Sequence, residues 1–212
     1  MTQSKAVYFL SGLSLLILFL FIGTSVYIQA GWIQGLDHFG NQYLRLAMPE
    51  TSTSFFLDIT NLGENPTVLI FLLILTLVLF MVKKRIAAIW TLVTVLLCGM
   101  GAPALLKLLF VRPRPPYAMM YVPGYSFPSG HSTVSAVFYG MLIVLALMYL
   151  EKEWLKILTV FVMTLIILLV MWSRVYLGVH YLSDTIGGLL LGSAQILFSL
   201  GLFLKFQDRP RG

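Results

Sequence analysis

Long apolar runs separated by short polar segments dominate the chain. Six of them lie near 6–29, 66–82, 86–108, 130–150, 154–172 and 184–204. Each approaches the ~20 residues a helix needs to cross a hydrocarbon core about 30 Å thick. None alternates residue by residue as a barrel strand would, and a helix satisfies its backbone groups within itself. The pattern therefore predicts an all-α fold, a six-helix transmembrane bundle, with residues 1–212 forming a single integral-membrane domain. The first run follows Lys5, and residues 6–36 contain no Asp, Glu, Lys or Arg. A signal sequence has an apolar region of only about 7–15 residues, so this run is read as a retained span.

The connections fix an expected orientation. Lys5, Lys83, Lys84, Arg85, Lys152, Lys156, Lys205, Arg209 and Arg211 all fall on one side of the six spans, nine of the 14 Lys and Arg residues. The positive-inside rule makes that side cytoplasmic and places both termini there. The other side carries two long connections, about 30–65 and 109–129. The first holds Pro49, Ser52, Thr53 and Asp58 among Phe55, Phe56, Leu57 and Ile59, a pattern for one or two short interfacial helices with Ser52 or Thr53 as N-cap. The second contains Pro113, Pro115, Pro116, Pro123 and Pro128, so it is expected to be extended and turning. Trp32, Tyr43, Tyr117, Tyr121, Tyr125 and Trp172 suit an aromatic belt on this outer side.

Composition agrees with the pattern. The chain is 59% hydrophobic and 10% charged, with a mean hydropathy of +0.92, too little charge to cover a soluble domain. A net charge of +6 would suggest nucleic acid in a soluble protein. Here the charges sit at the ends of apolar runs, where orientation and lipid headgroups account for them, and no nucleic-acid partner is expected. The single cysteine, Cys98, excludes an internal disulfide framework and reads as a small buried residue. Pro103, preceded by Gly99 and Gly101, is expected to kink the third span or to mark close helix packing.

Five cations remain on the outer side: Arg45, Lys107, Arg112, Arg114 and Arg174. Charge near a span end is costly and tends to mark function, and a shared anion is their natural partner. Lys107 and Arg114 are separated by six residues and followed by Pro115. Pro128-Ser129-Gly130-His131 opens the fourth span, where free N–H groups and the helix dipole favour an anion. Gly130 permits close backbone approach, and Ser129 offers a hydroxyl donor or a cap. Ser173-Arg174 ends the fifth span, and His180 and Asp184 lead into the sixth. On a helix this last pair would share one face, roughly 5–6 Å apart.

Each group has a job in phosphoryl transfer. Lys107, Arg114 and Arg174 would neutralise the phosphate oxygens. His131 would give a proton to the leaving oxygen, while His180 attacks phosphorus and Asp184 fixes its tautomer. Taken singly these residues have ordinary readings: a snorkelling lysine, an anchoring arginine, a turn, an interfacial histidine. Their convergence on one face at the ends of different spans favours a site. Arg112 lies outside this set and reads as solvated, and His38 reads as interfacial structure.

K-x6-R-P, P-S-G-H and S-R-x5-H-x3-D, in this order, resemble the three signature motifs of the type-2 phosphatidic acid phosphatase family. No signature position departs from the pattern, and the chain is similar to bacterial lipid phosphatases of the shorter, Gram-positive form. The resemblance implies a multi-pass protein of the bacterial plasma membrane with its active site near the outer face. It implies a phosphohistidine on His180, with Asp184 as orienter and His131 as general acid. Lys107, Arg114, Ser129, Gly130 and Arg174 form the implied phosphate-binding set. It also implies turnover without a metal or cofactor, and the three cations would themselves repel a metal ion. The substrate is expected to be a membrane lipid phosphate. Phosphatidylglycerol phosphate, undecaprenyl pyrophosphate and phosphatidic acid all fit. A lipid or anion transporter is the non-enzymatic alternative, although it would favour a site at the midplane.

Overall fold

The structure, a computed structural model, describes residues 5–207. Arg209 and Arg211, used above for orientation, lie outside the described residues. Eight helices are distinguished here: α1 Ala6–Tyr27, α2 Gly31–Phe39, α3 Thr53–Asn61, α4 Asn65–Met81, α5 Arg85–Phe110, α6 Gly130–Tyr149, α7 Glu153–Tyr176 and α8 Leu182–Gln207. Helix α2 runs on into a π-helical segment, Gly40–Leu46.

Helices α1, α5, α6, α7 and α8 are each long and apolar enough to span a membrane. Helix α4 has 17 residues, about 25 Å at 1.5 Å per residue, just short of a full crossing. It becomes a sixth candidate when joined to α3, from which it is bent by 45°. All six expected spans therefore correspond to helices, the second being the shortest.

Helix α6 is central and packs on α4, α5, α7 and α8. More than half of its apolar window is buried, whereas α1 and α7 turn most of theirs outward, as lipid-facing helices do. Val68, Leu72, Val95, Val134, Val137, Phe138 and Met141 form the main core, with Cys98 packed against it in a half-buried position.

Small residues set the approach of α8 to α6. A Cβ at Gly188 would lie 2.8 Å from the Ser129 carbonyl oxygen, and one at Gly192 would lie 2.8 Å from the Ala136 Cβ. Real side chains do not approach so closely, so glycine lets the two backbones meet. The Ser129 N–H then donates to the Asp184 carbonyl at 3.0 Å, locking the first turns of α6 and α8 together.

In α5 the stretch Val95–Gly101 is π-helical and ends two positions before Pro103. A widened turn absorbs the missing proline N–H and the ring clash that would otherwise break the helix. A Cβ at Gly99 would meet Val134 and Val137 of α6 at ordinary van der Waals distance, so this contact does not require glycine, and α5 runs as one span from Arg85 to Phe110 with the π-helical stretch inside it.

The first outer connection is helical, as its pattern predicts, but the expected cap is not formed. Neither Ser52 nor any other side chain caps α3. The Thr53 hydroxyl instead pairs with the Tyr176 hydroxyl at 2.8 Å, tying α3 to the end of α7. The expected belt is only partly realised. Trp32, Tyr43, Tyr121 and Tyr125 are exposed, but Trp172 donates to the Leu44 carbonyl at 2.9 Å and Tyr117 lies under the Arg45 guanidinium.

Candidate active site

The end of α5, the start of α6, the end of α7 and the start of α8 meet at one end of the bundle. The start of α4 and the segments that follow α5 and α7 join them there. A cavity of about 410 Å³ lies there, lined by Lys107, Arg114, Gly130, His131, Arg174 and His180, with Glu64 at its edge and Pro66, Met100 and Pro103 on its apolar side. Seven of the sequence-predicted site residues thus fall in two groups: those facing the cavity and, behind His180, Asp184. Ser129, the eighth, lies beside the cavity as a cap.

Helix α7 extends four residues beyond its expected end and carries Arg174 in its last turn. Gly178 has φ +65° and ends the helix as only glycine does without strain. The N–H groups of Val179 and His180 both return to the Arg174 carbonyl, which drops His180 beside the cations. The Arg174 guanidinium is 2% exposed. Its Nη1 donates to the Thr60 hydroxyl of α3 at 2.6 Å, while its Nε is buried without a partner.

Lys107 Nζ donates to the Tyr125 carbonyl at 2.8 Å. Arg114 is held by the Val179 carbonyl at 2.8 Å, the Gly124 carbonyl at 3.1 Å and the Pro123 carbonyl at 3.2 Å. The proline-rich connection therefore serves as a rack for two cations. Ser129 is fully buried, and its Oγ accepts from the Ser132 N–H at 3.3 Å and the Ser132 hydroxyl at 3.0 Å. Of the two roles open to it, the structure shows the cap. A Cβ at Gly130 would meet nothing within 4 Å, so the cavity reaches the backbone at the positive end of α6. His131 Nε2 is buried and unpartnered.

The tautomer of His180 follows from its neighbours. Arg114 Nη1 lies 3.2 Å from Nε2, and a guanidinium has no acceptor. Nε2 must therefore present its lone pair, which leaves the proton on Nδ1, 3.4 Å from Asp184 Oδ2. Burial, followed by the charges of Arg174, Lys107 and Arg114, pushes the His180 pKa well below the ordinary imidazole value. The ring is neutral, with its Nε2 lone pair turned to Arg114 on the cationic side.

The Asp184 geometry departs from the single-face expectation. His180 precedes α8, whereas Asp184 is its third residue and accepts the Tyr181 N–H at 2.9 Å, closing the helix start as an acidic third residue does. Its shortest contact is with Arg112, at 2.5 Å to Oδ1. Arg112 also reaches Asp37 Oδ2 at 2.5 Å and the Ser183 hydroxyl at 2.8 Å, and stacks over Tyr181. The expectation of a solvated Arg112 is thus incorrect. Burial opposes its charge, but Asp184 and Asp37 outweigh it and raise its pKa. Sequence reasoning also missed Asp37 and Thr60. Asp37 had a usable signal, as the first charge after Lys5 in a segment otherwise built for lipid.

A cage of cations and helix-start N–H groups around a neutral, carboxylate-backed imidazole is the arrangement of a site for phosphate esters. The model of the PAP2 superfamily matches residues 88–208, and the chain belongs to that family. It is 31% identical over 200 residues to phosphatidylglycerophosphatase B of Bacillus subtilis, covering 91% of this chain and 90% of that protein. The crystal structure of the transmembrane PAP2-type phosphatidylglycerolphosphate phosphatase from Bacillus subtilis superposes with a TM-score of 0.82, at 26% identity, over 95% of this chain and 99% of that one. Aquifex aeolicus LpxE shares the fold, with a TM-score of 0.59 at 24% identity over 75% of this chain and 91% of that chain.

Proposed function

We propose that this chain is a multi-pass lipid phosphatase, a single domain over residues 1–212, that hydrolyses phosphatidylglycerol phosphate to phosphatidylglycerol and inorganic phosphate. The observation that carries this reading is the His180 Nε2 lone pair facing a cavity that also contains Lys107, Arg114, Arg174 and His131. The names of the Bacillus subtilis relatives favour this substrate. Both termini lie in the cytoplasm and the cavity opens near the outer face, a reading supported by the clustering of Lys83, Lys84, Arg85, Lys152 and Lys156 at the opposite end.

In the proposed cycle the phosphate enters between the three cations and the start of α6. Its oxygens take up the free donors of Arg174 and the backbone around Gly130, with Ser129 holding that turn in place. His180 Nε2 attacks phosphorus in line with the leaving glycerol oxygen. His131, protonated once the negatively charged phosphate occupies the cavity, gives its proton to that oxygen as the P–O bond breaks, and phosphatidylglycerol departs. The Nδ1 proton stays on the imidazole, oriented by Asp184. Water then attacks the phosphohistidine, giving a proton to His131 and releasing phosphate. No metal or cofactor is invoked, because the cations and helix dipole supply the stabilising charge. The apolar wall of Pro66, Met100 and Pro103 receives the lipid side of the substrate.

Purified protein in mixed micelles, supplied in parallel with phosphatidylglycerol phosphate, undecaprenyl pyrophosphate and phosphatidic acid, tests the assignment by phosphate release. The first lipid should show the highest kcat/KM. A tenfold or greater preference, about 1.4 kcal/mol, for the diphosphate would move the assignment to carrier-lipid recycling. Transport without hydrolysis of any of the three would replace the enzyme by a transporter.

A second expectation follows from the electrostatics of His180. A pKa depressed by burial and by Arg174, Lys107 and Arg114 leaves the imidazole neutral at neutral pH and on moderate acidification. It should gain its proton only well below the ordinary value of about 6.5. NMR titration of histidine-labelled protein, with His180 assigned through its loss in His180→Ala, should show that low midpoint. A midpoint at or above the ordinary value would contradict the neutral-nucleophile reading.

A further inference from the structure

We propose that Asp37 is a positioning residue of the hydrolytic site, acting through Arg112 on the carboxylate that orients His180. This rests on the reading of His180 as nucleophile and Asp184 as its orienter.

Besides a hydrogen bond from the Ser126 side chain, Asp184 has three claims on its two oxygens. Oδ2 accepts the Tyr181 N–H and faces His180 Nδ1 at 3.4 Å, while Oδ1 pairs with Arg112 at 2.5 Å. The carboxylate is fully buried and Arg112 largely so, which makes this pairing a strong restraint on the rotation of the carboxylate. With no other anchor, the guanidinium would be free to turn with Asp184. Its second amine, however, is pinned by Asp37 Oδ2 at 2.5 Å, and the face of the guanidinium rests on the Tyr181 ring at 4.1 Å. The planar fork thus joins two carboxylates, a task lysine cannot perform.

Asp37 is itself fixed at both oxygens, because Oδ1 accepts the Ser183 N–H of α8 at 3.0 Å. The segment after α1, the segment after α5 and the start of α8 are therefore closed into one charged ring behind the nucleophile. Asp37 does not line the cavity that holds His180. It borders another cavity, of about 350 Å³, with Gln34, His38, Asn41 and Arg112 beside apolar Val26 and Ile33. Any effect of Asp37 on the reaction must pass through Arg112 or through Ser183.

A double-mutant cycle in the purified full chain tests this. Asp37→Asn should lower kcat about tenfold while leaving KM and vanadate inhibition within about twofold, because the phosphate cavity is untouched. On top of Asp184→Asn, the same Asp37 change should cost less than about twofold, the non-additivity expected of residues in one network. Asp37→Glu, which keeps the charge, should recover part of the lost kcat. If Asp37→Asn does not fold, Arg112→Lys takes its place in the cycle with the same expected pattern. The proposal is overturned by an unchanged kcat, by a loss confined to KM, or by equal losses in both backgrounds; equal losses would mark a purely structural brace. Turnover retained by His180→Ala would instead show that the reading of the site itself is wrong, whatever Asp37 does.

Discussion

Replacing His180 by alanine is expected to abolish phosphate release while leaving the bundle folded. The ring turns a lone pair without a proton on it toward the cations, since Arg114 Nη1 fixes Nε2 as acceptor at 3.2 Å. Alanine leaves nothing there that can form a bond to phosphorus. Cations and helix dipole can still stabilise charge on a bound phosphate, but water must then attack unaided. The loss should be at least about 10⁴-fold in kcat, roughly 5 kcal/mol of transition-state stabilisation. The fold should survive because the ring borders an existing cavity, so truncation enlarges that space rather than opening a sealed void in the core. Asp184 keeps its charge partner in Arg112. Acid-quenched reactions with labelled substrate should trap a phosphoenzyme in the wild type and none in the variant, while vanadate still binds both. Near-normal phosphate release by the variant, at unchanged melting temperature, would remove His180 from the nucleophile role.

The site was legible in sequence wherever a residue violated the expectations of its solvent. Lys107, His131, Arg174 and Asp184 lie at the ends of segments otherwise made for lipid, where an unexplained charge is costly. The spans were legible for the related reason that hydrocarbon demands long uninterrupted helices. What could not be read were pairings across distance. Arg112 sits among prolines and reads as solvated, yet its partners are 72 and 75 residues away, on α8 and α2, which meet closely where a Cβ at Gly40 would lie 2.7 Å from the Leu182 Cβ. The cap expected at Ser52 or Thr53 failed similarly, because the Thr53 hydroxyl found Tyr176 across the fold instead of a local N–H. The shared helix face for His180 and Asp184 was a local inference overruled by the first turn of α8. That turn uses Asp184 to close itself and leaves His180 outside.

That displacement makes Asp184→Asn the sharper test of how the site is organised, and it should cost about a thousandfold in kcat, on the order of 4 kcal/mol. Asparagine has nearly the shape of aspartate, so the start of α8 can persist, although its bond to the Tyr181 N–H survives only where the amide oxygen takes the Oδ2 position. Its amide, however, offers one acceptor oxygen where the carboxylate offers two. If the oxygen stays with Arg112, the NH₂ group faces Nδ1 and favours a bare Nδ1 with the proton on Nε2. That is the wrong tautomer for attack. If the oxygen turns to Nδ1, the Arg112 amine meets an NH₂ donor, and the guanidinium loses one of the two carboxylates that hold it. Both arrangements damage the nucleophile without touching the cations, so KM and vanadate inhibition should stay within about twofold of wild type. Loss of the buried charge also leaves Arg112 with Asp37 alone, so the melting temperature should fall, because breaking one member of a buried charged set is destabilising. Unchanged kcat in a well-folded Asp184→Asn protein would mean that His180 is oriented without this carboxylate, leaving Asp184 only the closing of α8. A fall in phosphate affinity equal to the fall in rate would mean that it shapes the cation cage instead.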